Sequence, residues 1–211
     1  MRRLAFLACL IALAACGGGP SAGQQGPPSA QQVAQSSTDF PGLMTCPDSG
    51  SYDKYLQAEK TTSPDKYATD KKTWDDLKAA GANDTYIAAN ADKSSDCNQF
   101  GSTNLSGKVA FVFAIRFKDA ASAGASYKNE KSQFNLSDSQ LASLKAFGGK
   151  VDQGATTGLG ANSLVVTFDA AGVTFYIALW QDKEFEVALV VYNLPTTDGG
   201  AAATKINGRI R

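Results

Sequence analysis

One residue type that could do chemistry is missing from this chain of 211 residues: it has no histidine. That removes the commonest general base, the commonest transition-metal ligand and the Ser/His/Asp and Cys/His nucleophile arrangements. Acid–base work would fall to carboxylates. The densest group is Asp70, Asp75 and Asp76 around Trp74, a composition suited to carboxylate-based hydrolysis of a glycan. Lys71, Lys72 and Lys78 interleave with it, so the simpler expectation is an exposed, charge-paired helix face with Trp74 as a core anchor. Asp92, Ser94 and Asp96 alternate like the first half of a calcium loop, but the central glycine and terminal glutamate are absent. The stretch Gly154-Ala155-Thr156-Thr157-Gly158-Leu159-Gly160 could offer backbone N–H groups to an anion, yet no lysine or suitable helix follows. No nucleophile-elbow, phosphate-loop or dinucleotide motif occurs. No catalytic residue, metal site or cofactor is therefore assigned.

The cysteines are more informative. Arg2 and Arg3 precede an uncharged run, Leu4 to Ala15, which ends on small residues. As a helix this run spans about 18 Å, too short for a hydrocarbon core of about 30 Å. The ending Leu13-Ala14-Ala15-Cys16 resembles a bacterial lipobox, an aliphatic residue and two small ones before the cysteine that becomes the acylated N-terminus. The resemblance implies a signal peptide over residues 1–15, lipid on Cys16 and attachment to a bacterial membrane on its extracytoplasmic side, in the cell envelope. Two or more acyl chains, at about 0.8 kcal/mol per buried CH₂, make a stable anchor. Cys9 leaves with the signal and Cys16 is consumed by lipid. Cys46 and Cys97 remain as a pair in an oxidising compartment, which reads as a structural disulfide.

Of the 20 basic residues, Arg2 and Arg3 leave with the signal, so 18 face 20 acidic ones and the mature charge is near −2. No basic block is longer than Lys71-Lys72, which excludes a nucleic-acid footprint. Residues 16–42, running GGGPSAGQQGPPSAQQVAQSSTDFPG after Cys16, have the composition of a disordered tether. Residues 43–211 have the length of one domain.

Elements within 43–211 are expected from local signals. Ser51 caps a short helix, and Ser63-Pro64 opens a second carrying Tyr67, Trp74 and Leu77 up to Gly81. A third short helix is expected over 84–91 with Asn83 as its cap. Val109 to Phe117 (VAFVFAIRF) is apolar on both faces and reads as a central strand. A helix follows from Asp119 to about Lys131, and another from Ser137, where Gln140 completes a capping box and Leu136 and Leu141 a hydrophobic staple. A meander over 163–168, 173–180 and 184–194 leads to a last helix carrying Ile206 and Ile210. The sum is an α+β fold. It has a mainly antiparallel sheet of 4–5 strands with helices packed on it, preceded by a helical N-terminal part tied by Cys46–Cys97.

The element order, with Gly158-Leu159-Gly160 ahead of the terminal meander and helix, is similar to the extracellular sensor-like domains of actinobacterial lipoproteins and receptor kinases. No residue role transfers with that resemblance. The aromatic stock of the meander is the place to expect a ligand: Tyr176, Trp180 and Tyr192 could line a groove on one sheet face, with core packing as the alternative. The functional expectation is a non-enzymatic binding or sensing domain at the envelope. Its partner would be a small molecule, a glycan or another envelope protein. The alternatives are a structural component of an envelope assembly and a carboxylate-based hydrolase. A thiol-reactive mass label applied to the unreduced protein is expected to modify neither Cys46 nor Cys97.

Overall fold

The computed structural model describes residues 26–100, 105–133, 138–146, 148–170 and 172–210. The chain runs α1 (Ala30–Ala34), β1 (Met44–Thr45), α2 (Tyr52–Thr62), α3 (Pro64–Ala79), β2 (Ala82–Ala91), β3 (Val109–Phe117), α4 (Ala120–Gln133), α5 (Asp138–Ala146), β4 (Lys150–Gln153), β5 (Ser163–Ala170), β6 (Val173–Asp182), β7 (Phe185–Tyr192) and α6 (Thr196–Arg209). The strands form one antiparallel sheet of seven in the order β1-β2-β3-β7-β6-β5-β4. The expected α+β class holds, with more strands than the 4–5 anticipated. The signal peptide, Cys16, and the Leu136, Ser137 staple and cap lie outside the described residues.

β3 is the central strand. Ala110, Val112 and Ala114 face one layer, and Phe111, Phe113, Ile115 and Phe117 face the other. On the small-residue face lie α1 and α6, where Ala202, Ala203 and Ile206 meet Trp180, Val187 and Leu189. α6 approaches so closely that a Cβ on Gly199 would overlap the Tyr176 ring. The large-residue face carries α2, α3 and α4. Tyr52, Leu56, Trp74 and Leu77 cover Ile87, Ile115 and Phe117, and the Trp74 indole N–H donates to Asp53 at 2.8 Å.

The expected helix over 84–91 is instead β2, paired along β3 from Ala82 to Ala91 with a bulge near Asn83. Its alanines and Asn90 look helical in isolation. Thr85, Ile87, Ala89 and Ala91 face one layer while Tyr86 and Ala88 face the other, and burial on both sides overrides local propensity. β1 and β4, too short to show alternation, supply the remaining extra strands.

Within the tether expected over 16–42, residues 29–40 are packed into the fold. Ser29 caps α1 in a reciprocal capping box with Gln32. Ala30, Val33, Ala34 and Phe40 are buried in the α6-side core, because small apolar residues suit the shallow groove beside that helix. Asp84 accepts the Ala30 N–H at 2.8 Å, and Arg116 donates to Pro28 O at 3.2 Å. Arg209, at the end of α6, donates to both Asp39 carboxylate oxygens at 2.8 and 2.7 Å and to Val33 O at 2.9 Å. Cys46 and Cys97 are bonded, with Cα atoms 5.3 Å apart across a separation of 51 residues. The bond ties the end of β1 to the turn after β2.

The Asp39 side chain is 1% exposed, and Arg209 is its counter-charge. Asp39→Ala is expected to cost about 3 kcal/mol in urea unfolding, since it strands a partly buried guanidinium. Hydrogen exchange should show the loss of protection concentrated over 30–40.

Candidate functional site

α2 and α3 meet at Ser63-Pro64, and each brings one i,i+4 pair to the facing surface: Tyr55 with Glu59, and Lys66 with Asp70. Tyr55 Oη lies 2.6 Å from Glu59 Oε1 and 2.9 Å from Asp70 Oδ2, so its one proton serves one carboxylate at a time. Lys66 Nζ donates to Tyr55 Oη and Glu59 Oε1, and to Asp70 Oδ2 at 3.1 Å. The same ammonium sits 4.8 Å from the Tyr55 ring centroid. Burial, then hydrogen bonding to Glu59 and Asp70, pushes the Tyr55 phenol far above its ordinary value. Burial would lower Lys66, but the same two carboxylates outweigh it and hold the ammonium charged. Glu59 is 7% exposed, and its Oε2 has no hydrogen-bond partner.

Tyr55, Glu59 and Lys66 of this cluster form one wall of a cleft of about 550 Å³. The floor is Ile87 and Ala89 of β2, and the far side is Cys97 and Phe100. Phe100 stands edge-on to Tyr55 with ring centroids 5.2 Å apart. The cleft joins an apolar floor to a few convergent polar groups, the usual make-up of a small-molecule site. Nothing in the sequence reading singled out Glu59 or Lys66. The available signal was the pair of i,i+4 couples flanking the Ser63-Pro64 break.

The sequence-derived candidates fare differently. Of the three carboxylates around Trp74, only Asp70 joins the cluster. Asp75 pairs with Lys71 and Lys78, and Asp76 pairs with Lys72, on the exposed side of α3. Tyr176, Trp180 and Tyr192 do not form a groove, and that expectation is corrected. Trp180 is fully buried and donates to Asn207 Oδ1 at 3.1 Å, and Tyr176 lies under α6. Tyr192 pairs with Phe175 across the strands and therefore sits on the opposite face. Asp92 and Asp96 accept from Lys108 N and Ser106 Oγ as loop ties. Among the described residues, no group of three or more His, Cys, Asp and Glu could hold a metal. The 154–160 stretch makes a short turn that leads into β5 and bonds the buried Ser163 through Thr157 and Gly154.

A second cleft, of about 650 Å³, separates α3 from α4, with Leu77, Ser126 and Glu130 on its walls. Beneath α4 lies Glu186, 2% exposed, with Oε2 unpartnered. Burial raises its carboxyl from an ordinary 4.5 to about 7; a hydrogen bond with Ser126 opposes the rise and the Glu130 charge adds to it.

In class, the molecule is an antiparallel α+β domain with a Cys46–Cys97 disulfide and a cleft between α2, α3 and β2. No protein-family model matches the chain, and no curated protein matches it. Among solved structures it is similar to the extracellular domain of PknH from Mycobacterium tuberculosis, with a TM-score of 0.41 and 13% identity. That likeness covers 64% of this chain and 69% of the other.

Glu186 gives the domain a definite pH response. Below about pH 4.5 the carboxyl is neutral in both folded and unfolded chains. Between there and about 7 the folded chain keeps a proton that the unfolded chain releases, so stability falls as pH rises through that window. Glu186→Gln is expected to match the parent near pH 4 and to exceed it by about 3 kcal/mol at pH 8. Urea unfolding at the two pH values measures the difference.

Proposed function

We propose that this chain is a lipid-anchored extracytoplasmic domain that binds a small ligand in the α2–α3 cleft and catalyses no reaction on it. The observation that carries the reading is Glu59 Oε2, a buried acceptor without a partner on the wall of an apolar-floored cleft. Leaving such an atom unsatisfied costs about 1–3 kcal/mol, which a bound donor would recover. The Leu13-Ala14-Ala15-Cys16 sequence supports the anchor, and the Cys46–Cys97 bond suits an oxidising compartment. Against catalysis stand the absent histidine and the state of the carboxylates, since Glu59 and Asp70 are both tied to Lys66.

Pro28, held by Arg116, stands twelve positions after Cys16, so about a dozen residues separate this tie from lipid there. Fully extended they reach about 40 Å, so the domain is held close to its membrane. The assembly alternative has less support. Met44 is the one large hydrophobic side chain exposed among the described residues.

Native mass spectrometry of the full chain, purified from its own membrane, tests the reading. The parent is expected to carry a small-molecule adduct that Phe100→Ala and Glu59→Ala lose. An adduct retained by both variants, or a parent carrying none, would remove the cleft from consideration.

A further inference from the structure

A buried carboxyl lies under the polar half of one helix, away from the α2–α3 cleft. We propose that α4 is a pH-operated lid, whose second half rests on the sheet while Glu186 is protonated and lifts when that carboxyl ionises.

The two halves of α4 are held differently. Its start is fixed. Lys118 N donates to Gly81 O at 2.9 Å, and Asp119 accepts the Ser122 N–H at 2.7 Å. Ala123 is fully buried in one cluster with Ile115 and Phe117, and Gly124 lies over the Gln181 side chain. The second half brings Ser126 and Tyr127 inward, both buried, with Glu130 one turn further on. Ser126 hydrogen-bonds the Glu186 carboxyl. Glu186 Oε2 and Tyr127 Oη are both buried without a partner. The α3–α4 cleft of about 650 Å³ runs along this half, lined there by Ala125, Ser126, Asn129 and Glu130.

A neutral Glu186 can stay buried, but a carboxylate there meets the wrong charge. Ile115 of β3 and Gln181 of β6 flank it in register, and neither titrates. Lys128 and Lys131 lie on α4, and Asp182, Lys183 and Glu184 precede β7. From α3 comes Asp76, bonded to Lys72, and at the start of α4 stand Asp119 and Lys118, whose stem lies against Gly81. Tyr52 of α2 faces Glu130 with a phenol that burial keeps neutral. The charge that acts on the Glu186 carboxyl is that of Glu130, whose own carboxyl burial also raises. Ionisation therefore sets two negative charges against each other, one on the lid and one on the floor. Lifting the second half about its fixed start gives water to both carboxylates and to Tyr127 Oη, and opens the cleft down to the sheet. Burial keeps Glu186 protonated to about pH 7, so the closed form belongs to the acid side of that value and the lifted form to the alkaline side.

Hydrogen exchange read by mass spectrometry tests the lid, on the full chain in detergent at about pH 5.5 and about pH 8.5, with times corrected for intrinsic exchange. Peptides over 125–133 are expected to be protected at the lower pH and to exchange close to the free-peptide rate at the higher. β3 and β7 should stay protected at both. Glu186→Gln should keep 125–133 protected at both pH values. Circular dichroism shows whether that variant is folded, and Glu186→Met, equally unable to ionise, takes its place if it is not. The proposal is overturned if 125–133 stay protected in the parent at the higher pH, or if the variant opens as the parent does. It is also overturned if β3 and β7 lose protection together with α4, since the domain would then be unfolding as a whole.

Discussion

The structure depends on β3 being apolar on both faces. A strand with Ala110, Val112 and Ala114 on one side and Phe111, Phe113 and Ile115 on the other requires a helical layer over each face. The difference in side-chain size then sets the two layers apart in character. Alanine and valine let α6 settle so near the sheet that Gly199 is needed over Tyr176. Phenylalanine and isoleucine give α2 and α3 a bed of aromatic rings, in which Tyr52 stacks on Phe113 at 5.2 Å. Beside that bed β2 presents Ile87 and Ala89, and the space over them, between α2 and Phe100, is the cleft. The disulfide closes its far side by bringing Cys97 over the same strand.

What was legible in the sequence follows from this. β3 and the meander announce themselves because long alternation with β-branched and aromatic residues has no helical counterpart. The Cys46–Cys97 pair was legible by elimination once Cys9 and Cys16 were assigned elsewhere. β2 was not, because alanine satisfies a helix and a doubly buried strand equally, and only pairing with β3 and β1 decides between them. Nor was α1, whose Ala30, Val33 and Ala34 look insufficient to bury anything. They suffice because α6 and the sheet have already made the groove they fill. The cluster at the cleft was hidden for a different reason. Glu59 and Lys66 are ordinary helix-surface residues in sequence, and they become a site only when the Ser63-Pro64 break folds one helix onto the other.

The N-terminal segment illustrates how charge can fix a weakly apolar piece of chain. Residues 28–40 offer few large side chains, yet three polar ties hold them: Asp84 on the α1 N-terminus, Arg116 on Pro28 O, and Arg209 on Asp39 and Val33 O. A buried ion pair adds little net energy over an apolar substitute, but it specifies one geometry because misplacing either partner is costly. Here it fixes the place of residues 28–40 against α6 and the sheet.

The polar atoms left without partners are distributed in a way that separates the two layers. On the α6 face the demanding groups are matched: Trp180 with Asn207, Arg209 with Asp39, Arg116 with Pro28 O. Of the four buried, unmatched side-chain atoms among the described residues, Glu59 Oε2, Tyr127 Oη and Glu186 Oε2 lie on the α2–α4 face, and Asn193 Oδ1 lies just after β7. A fold selected for stability alone has no reason to concentrate such defects on one side. α4 even rests there on alanine and glycine, Ala123 and Gly124, with a buried carboxyl beneath it rather than an apolar side chain. The α2–α4 layer therefore holds the unmet polar demand, an acceptor at Glu59 and a carboxyl at Glu186 that keeps its proton to about pH 7.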